Sequence, residues 1–210
     1  MKLRMLNGSH SSLAYLGYLA GYEYVAQAIG DDAFKSFIHD LMTEEVMPTL
    51  GMERPALENY RDRLLRRFAN PALNHRLWQI AMDGSQKLPQ RLLGTIRGRL
   101  RGNHSIDRLS LGVAAWMRYV TGLDEKGGAI EVRDPLAERL RKIADGAGRD
   151  PDKLASGLLL VGEIFGDDLP KEQMFRTTVS AHLASLFTIG AAATVKQLAG
   201  AGDAARLLDD

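Results

Sequence analysis

Apolar residues recur along this chain at helical intervals, and no stretch alternates with the two-residue period of a strand. Over residues 9–29, Leu13, Leu16, Tyr24 and Val25 interleave with Ala14, Gly17, Ala20 and Gly21. That is the pattern of a buried helix approached closely by its neighbours. Gly30 closes it, and Asp31 or Asp32 caps a helix carrying Phe34, Phe37, Ile38 and Leu41. A charged helix after Pro55 presents Tyr60, Leu64, Leu65 and Phe68 on one face until Asn70-Pro71 breaks it. Shorter helices are predicted over 73–82, 88–101 and 107–121, then a Gly-containing loop over 124–132. Asp134-Pro135 and Asp150-Pro151 each read as a cap with proline in the first turn. The last long helix is predicted over 171–199 with Gly190 inside it, and the tail 200–210 is expected to fray. The expectation is all-α: one helical domain over 1–199 followed by a flexible tail, 200–210. The composition shift near 124–134 marks the one place where a subdomain could divide off, but helices this short favour a single unit.

Composition narrows the function classes. A chain of 210 residues with 45% hydrophobic and 25% charged residues suits one soluble core. A net charge of +1 argues against a nucleic-acid specialist. Cysteine is absent, so there is neither a disulfide frame nor thiolate chemistry. The apolar stretches at 154–165 and 181–195 contain Gly, Ser, Thr or His and are too short or mixed to span a bilayer. Arg4, Asn7 and His10 interrupt any signal-peptide core. A cytoplasmic protein without membrane or nucleic-acid partners is expected.

The candidate chemistry opens the chain, where Lys2, Asn7 and His10 form Lys-x4-Asn-x2-His. An amide N–H can donate to a developing alkoxide, a lysine can exchange the proton, and an imidazole can orient a neighbouring hydroxyl. On an α-helix Asn7 and His10 would lie about 60° apart, with Lys2 beyond the cap and folding back. The plainer reading makes Asn7 or Ser9 an N-cap and His10 a surface residue. A second constellation is Asp83-Gly-Ser-Gln-Lys87, which also reads simply as a helix end at Gly84, a cap at Ser85 and a solvated Lys87.

Several other motifs point to less. Arg91, Arg97, Arg99 and Arg101 read as a solvated basic face, or as a contact for phosphate or a partner domain. Gly200-Ala-Gly202-Asp-Ala-Ala205 matches Gly-x-Gly-x-x-Ala, but follows a helix and has no room for a βαβ unit. His39, His75, His104 and His182 lack metal-ligand spacing, and Glu44-Glu45 reads as a surface pair. No metal site is expected.

Leu6-Asn-Gly-Ser-His10-Ser, Arg67-Phe-Ala-Asn-Pro71 and the run Gln79-Ile-Ala-Met-Asp-Gly-Ser-Gln-Lys87-Leu-Pro-Gln-Arg91 together closely resemble the mannitol dehydrogenase family of polyol and hexuronate oxidoreductases. The likeness is strongest to the fructuronate reductase (D-mannonate oxidoreductase) branch, densest from Lys2 to Arg91 and thinner after about Asp134. It implies the family's helical C-terminal domain, resembling the 6-phosphogluconate dehydrogenase C-terminal-like fold. It also implies that the N-terminal Rossmann domain, which holds most of the NAD, lies outside this chain. The resemblance makes Lys2 the general acid/base, with Asn7 and His10 polarising and orienting the reacting oxygen. Lys87 becomes a substrate contact, with Gln79 and Arg91 beside it. Mannitol-oxidising members carry arginine eight residues before that lysine, and here the position is Gln79. The implied reaction interconverts D-mannonate and D-fructuronate, and the chain alone is expected to be inactive. The alternatives are a mannitol-type polyol oxidoreductase domain, a non-catalytic helical interaction module, and a basic nucleic-acid-binding domain.

Overall fold

Helix α8 (Asp107–Tyr119) organises the molecule, because every residue from Arg108 to Tyr119 is buried. In the computed structural model, which describes the backbone of residues 1–206 and the side chains of residues 1–200, two helices flank it. These are α1 (Ser9–Leu19) and α12 (Gln173–Thr188). Small residues allow the close approach: a Cβ on Gly112 would lie 2.5 Å from the Ser12 hydroxyl oxygen. Trp116, Phe165 and Phe175 stack in series with centroids 6.0 and 6.3 Å apart. One continuous apolar cluster runs from Met5 to Val195.

The other helices wrap this axis in chain order. They are α2 (Val25–Gly30), α3 (Asp32–Asp40), α4 (Arg54–Phe68), α5 (Leu77–Ala81), α6 (Gly84–Leu88), α7 (Gly94–Arg101), α9 (Ala137–Ala147), α10 (Pro151–Leu159), α11 (Gly162–Phe165) and α13 (Gly190–Arg206). The fold is all-α, with two isolated bridges, Tyr24–Arg76 and Leu123–Ala129, as its only strand-like pairing among the described residues. Asp31 and Asp150 cap α3 and α10 as expected, each accepting from two backbone N–H groups.

The structure corrects several sequence expectations. The helix expected over 9–29 stops at Leu19, and Gly21, at φ +90°, turns the chain before α2 begins. The helix expected over 171–199 breaks at Gly190, whose φ of +83° an L side chain rarely adopts. Glu125 then accepts a hydrogen bond from Ala191 N–H and starts α13. Helix α13 continues to Arg206, well into the segment read as a tail, while 207–210 lie outside the described residues. Asp134 does not cap the helix after it: α9 begins at Ala137 with Leu136 at its N-cap, and Asp134 accepts from Leu136 N–H in the preceding turn and holds Ser85.

Three segments wind as π-helix: Leu3–Gly8, Leu41–Val46 and Pro89–Leu93. Such turns are rare and cluster at functional sites. The first and third pack together so tightly that a Cβ on Gly8 would lie 2.8 Å from the Arg91 carbonyl oxygen.

Candidate active site

The π-turn explains the Lys-x4-Asn spacing. On an α-helix, residues five apart point roughly 140° away from each other. A π-helix pairs i with i+5, and Leu3–Gly8 winds this way with Lys2 at its N-cap and Asn7 near its end. Lys2 already has helical backbone angles and an exposed side chain, and Asn7 is half-buried. Neither Asn7 nor Ser9 is an N-cap, because the winding continues unbroken into α1.

His10, in the first turn of α1, stacks on Phe68 at the end of α4, with centroids 4.3 Å apart and planes 27° apart. The His75 ring meets it edge-on at 6.0 Å. Burial, followed by His75, Arg91 and Arg67, pushes the His10 imidazolium down to about 3. The ring is therefore neutral at physiological pH, and its buried Nε2 has no hydrogen-bond partner. Behind Phe68 and His75 lies a cavity of about 160 Å³, to which Tyr24, Gln27, Arg67 and Asn70 also contribute.

The segment 79–91 meets this site from the other side. Asp83 holds a left-handed conformation (φ 54°), and its N–H donates to the Arg133 carbonyl at 2.9 Å. Asp134 accepts from Ser85 N–H (2.7 Å) and Ser85 Oγ (2.6 Å), so the loop before α9 clamps the start of α6. Gly84 is required there, because a Cβ would lie 2.6 Å from the Tyr15 hydroxyl. Lys87 is not simply solvated. Its Nζ donates to the Ile80 carbonyl at 3.4 Å and lies 3.9 Å from Asp83. Burial and then Arg91 lower its pKa, with Asp83 and Asp134 opposing.

Arg91, on the π-turn Pro89–Leu93, donates to Ser11 Oγ at 3.0 Å and has no carboxylate partner among the described residues. It influences both His10 and Lys87, so the two lie around one guanidinium. Gln79 is exposed on α5, and among the described residues its side chain has no hydrogen-bond partner. Among the described residues, no group of His, Cys, Asp and Glu is placed to hold a metal, and no helix is long and apolar enough to cross a membrane.

Residues 1–187 match the family model described as the mannitol dehydrogenase C-terminal domain. The chain belongs to the mannitol dehydrogenase family. D-mannonate oxidoreductase of Escherichia coli is 50% identical over 200 residues, covering 94% of this chain and 40% of that protein. A mannitol 2-dehydrogenase of Phaeosphaeria nodorum is 38% identical over 95% of this chain and 34% of its own length. The Pseudomonas fluorescens mannitol 2-dehydrogenase, solved as a ternary complex with NAD and D-mannitol, superposes with a TM-score of 0.87 at 34% identity, over 94% of this chain and 40% of that one. The chain thus spans about 40% of the length of these relatives.

Within this mannitol dehydrogenase fold, two neighbours of His10 escaped the sequence reading of the site. His75 was weighed only for metal-ligand spacing, and Phe68 only as a core position. Both lie on or just beyond the Arg67–Pro71 run that carries the resemblance, and that proximity was the available signal.

Proposed function

We propose that this chain is the substrate-binding half of an NAD-dependent secondary-alcohol dehydrogenase that interconverts a hexonate and a keto-hexuronate, D-mannonate and D-fructuronate. One observation carries the reading. Among the described residues Arg91 is half-buried without a carboxylate partner, between Lys87, which Asp83 meets at 3.9 Å, and a neutral His10 whose Nε2 is unpartnered. A site that gathers cationic groups around one uncompensated guanidinium favours an anionic substrate over a neutral polyol. The 50% identity to D-mannonate oxidoreductase supports the same choice.

In the reducing direction Lys2 gives its proton to the carbonyl oxygen while the Asn7 amide donates to that oxygen as negative charge builds. His10, held neutral, accepts from an adjacent substrate hydroxyl through Nε2 and fixes the sugar chain. Lys87 and Arg91 take the carboxylate. A bound nicotinamide would supply hydride to the carbonyl carbon in this direction and take it from the carbinol carbon in the reverse one. The described residues include no parallel sheet and no glycine-rich turn at a helix head to seat a dinucleotide. The 210-residue chain alone is therefore expected to show no micromolar binding of NADH by calorimetry and no turnover.

The decisive comparison uses this domain joined to a dinucleotide-binding domain, with kcat/KM measured for fructuronate and fructose in wild type and Lys87→Met. Wild type is expected to favour fructuronate, and the substitution to cost it at least tenfold more than fructose. A wild type faster on fructose, or equal losses on both substrates, would restore the mannitol-type reading.

A further inference from the structure

A second cluster of cations lies outside the catalytic constellation, around a cavity of about 310 Å³ whose lining includes Arg4, Thr49, Arg99, Arg101 and His104. Among the described residues no acidic side chain lines it. The residues come from separate parts of the chain: the π-turn Leu3–Gly8, the 3-10 turn Met47–Thr49, and the end of α7 with the turn beyond it. Arg4 is anchored by its Nη1, which donates to Thr49 Oγ1 (3.1 Å) and Thr49 O (3.2 Å). Arg99 is fixed by donating to the carbonyls of Ser105 and Glu45. Arg101 is exposed, and among the described residues neither it nor Arg4 has a carboxylate partner. Gly98 leaves the wall open, since a Cβ there would meet nothing within 4 Å.

Cations at a helix C-terminus usually need no ligand, because they complement the helix dipole. That account falls short here. The dipole amounts to about half an elementary charge, and three guanidiniums surround this cavity. The last carbonyls of α7 are already occupied by backbone N–H groups: Gly102 and His104 donate to Arg99 O, and Asn103 donates to Leu100 O. Asn103, at φ 52°, turns the chain so that His104 joins the lining. The neighbouring Arg97 shows what an internally satisfied member of the same run looks like. It grips Asp168 through two bonds of 2.6 and 2.7 Å and the Phe165 carbonyl at 2.7 Å.

We propose that this cavity binds a phosphate group, at a site separate from the substrate constellation. Arg4 and Arg101 supply the free positive charge, with Arg99 shared with Glu45 behind them, and guanidinium forks suit phosphate oxygens. The volume exceeds that of a bare phosphate and stands at the lower end of the ~300–1,000 Å³ found for small-molecule sites, so a small phosphate monoester fits as well.

The test is calorimetric titration of the 210-residue chain with inorganic phosphate and, separately, glycerol 1-phosphate, at constant ionic strength set by chloride. Saturable submillimolar binding is expected, weakened at least tenfold in Arg101→Gln and unchanged in Lys87→Met. Arg101 is exposed, so its replacement leaves the fold intact by circular dichroism, and His104→Gln gives an independent second weakening. Tighter binding of the ester assigns the site to a phosphorylated small molecule; equal binding assigns it to free phosphate. Heats no larger than those of chloride, or binding lost in Lys87→Met and kept in Arg101→Gln, would overturn the proposal.

Discussion

Two buried polar clusters sit on this helical frame, and they are built on opposite rules. Around Glu45 the charges alternate. The Glu45 carboxylate accepts from Arg108 N–H (2.8 Å) and Leu109 N–H (2.9 Å), capping the central helix. The Arg108 side chain pairs with Glu44 at 2.7 Å and lies 3.6 Å from Asp40, which His39 meets at 2.8 Å. Around His10 the side chains share one sign or none, and the imidazole keeps an unused nitrogen. The first cluster balances its charges and holds α8 in place, although Arg108 Nε is left without a hydrogen bond. The second leaves the His10 Nε2 without a partner, and under the proposed function a substrate hydroxyl takes that place.

The sharpest way to break that comparison is to remove one member from each cluster. Glu45→Ala strips the cap from α8 and leaves Arg108 with less buried negative charge around it. Loss of one partner from a buried pair costs ~3–5 kcal/mol, and urea unfolding of the 210-residue chain is expected to show a loss of that order. A loss below ~1 kcal/mol, the scale of a cap alone, would demote the cluster to an ordinary helix end.

Next in size is an opposition in pH dependence. Burial pushes Glu45 up to about 7, against the pull of the Arg108 and Leu109 N–H groups and of the Arg108 and Arg99 charges. Its contribution to stability is therefore full below 4.5 and is lost as the pH rises through 7. His10 is depressed to about 3, so its contribution is full above 6.5 and is lost as the pH falls towards 3. Between 4.5 and 6.5 the two slopes oppose each other. Relative to wild type, Glu45→Gln should unmask destabilisation on acidification, and His10→Phe destabilisation towards neutrality. Each slope is bounded by ~1.4 kcal/mol per pH unit for one proton. Denaturation at a series of pH values reads both, and parallel curves for the two variants would refute the assignment.

The smallest expected change is the most telling. His10→Phe keeps a ring against Phe68 and removes an unsatisfied nitrogen. Replacing an unpaired polar group by an apolar one of similar shape is nearly neutral or stabilising, so stability at pH 7 should shift by less than ~0.5 kcal/mol. A large loss would mean that His10 is part of the scaffold after all.

The contrast between the clusters also marks how far the sequence could be read. Helical periodicity and the Asp31 and Asp150 caps made the all-α frame legible, since both are local signals. Glu44-Glu45 looked like a surface pair because burial of Glu45 depends on Arg108, sixty-three residues away. The Arg91–Arg101 run looked like one basic face. Its arginines part company only in three dimensions, Arg91 to the site, Arg97 to Asp168, and Arg99 and Arg101 to the second cavity. Lys2, Asn7 and His10 were visible as residues, but the geometry relating Lys2 to Asn7 was not. A π-turn carries no periodic signature in six residues. The break at Gly190 depends on Glu125, which no local pattern connects to it.

The contact of Gly8 with the Arg91 carbonyl has a consequence for anyone who would re-engineer this scaffold. Backbone faces backbone there, so no side chain can swing aside to admit even a methyl group. The two π-turns are thereby locked in one register, and residues 2–10 and 79–91 behave as halves of a single cassette. A specificity graft that exchanges 79–91 for a relative's sequence would keep its alignment with Lys2 and Asn7 as long as glycine stays at position 8. A graft that alters that glycine would shift both halves together, whatever side chains it carried.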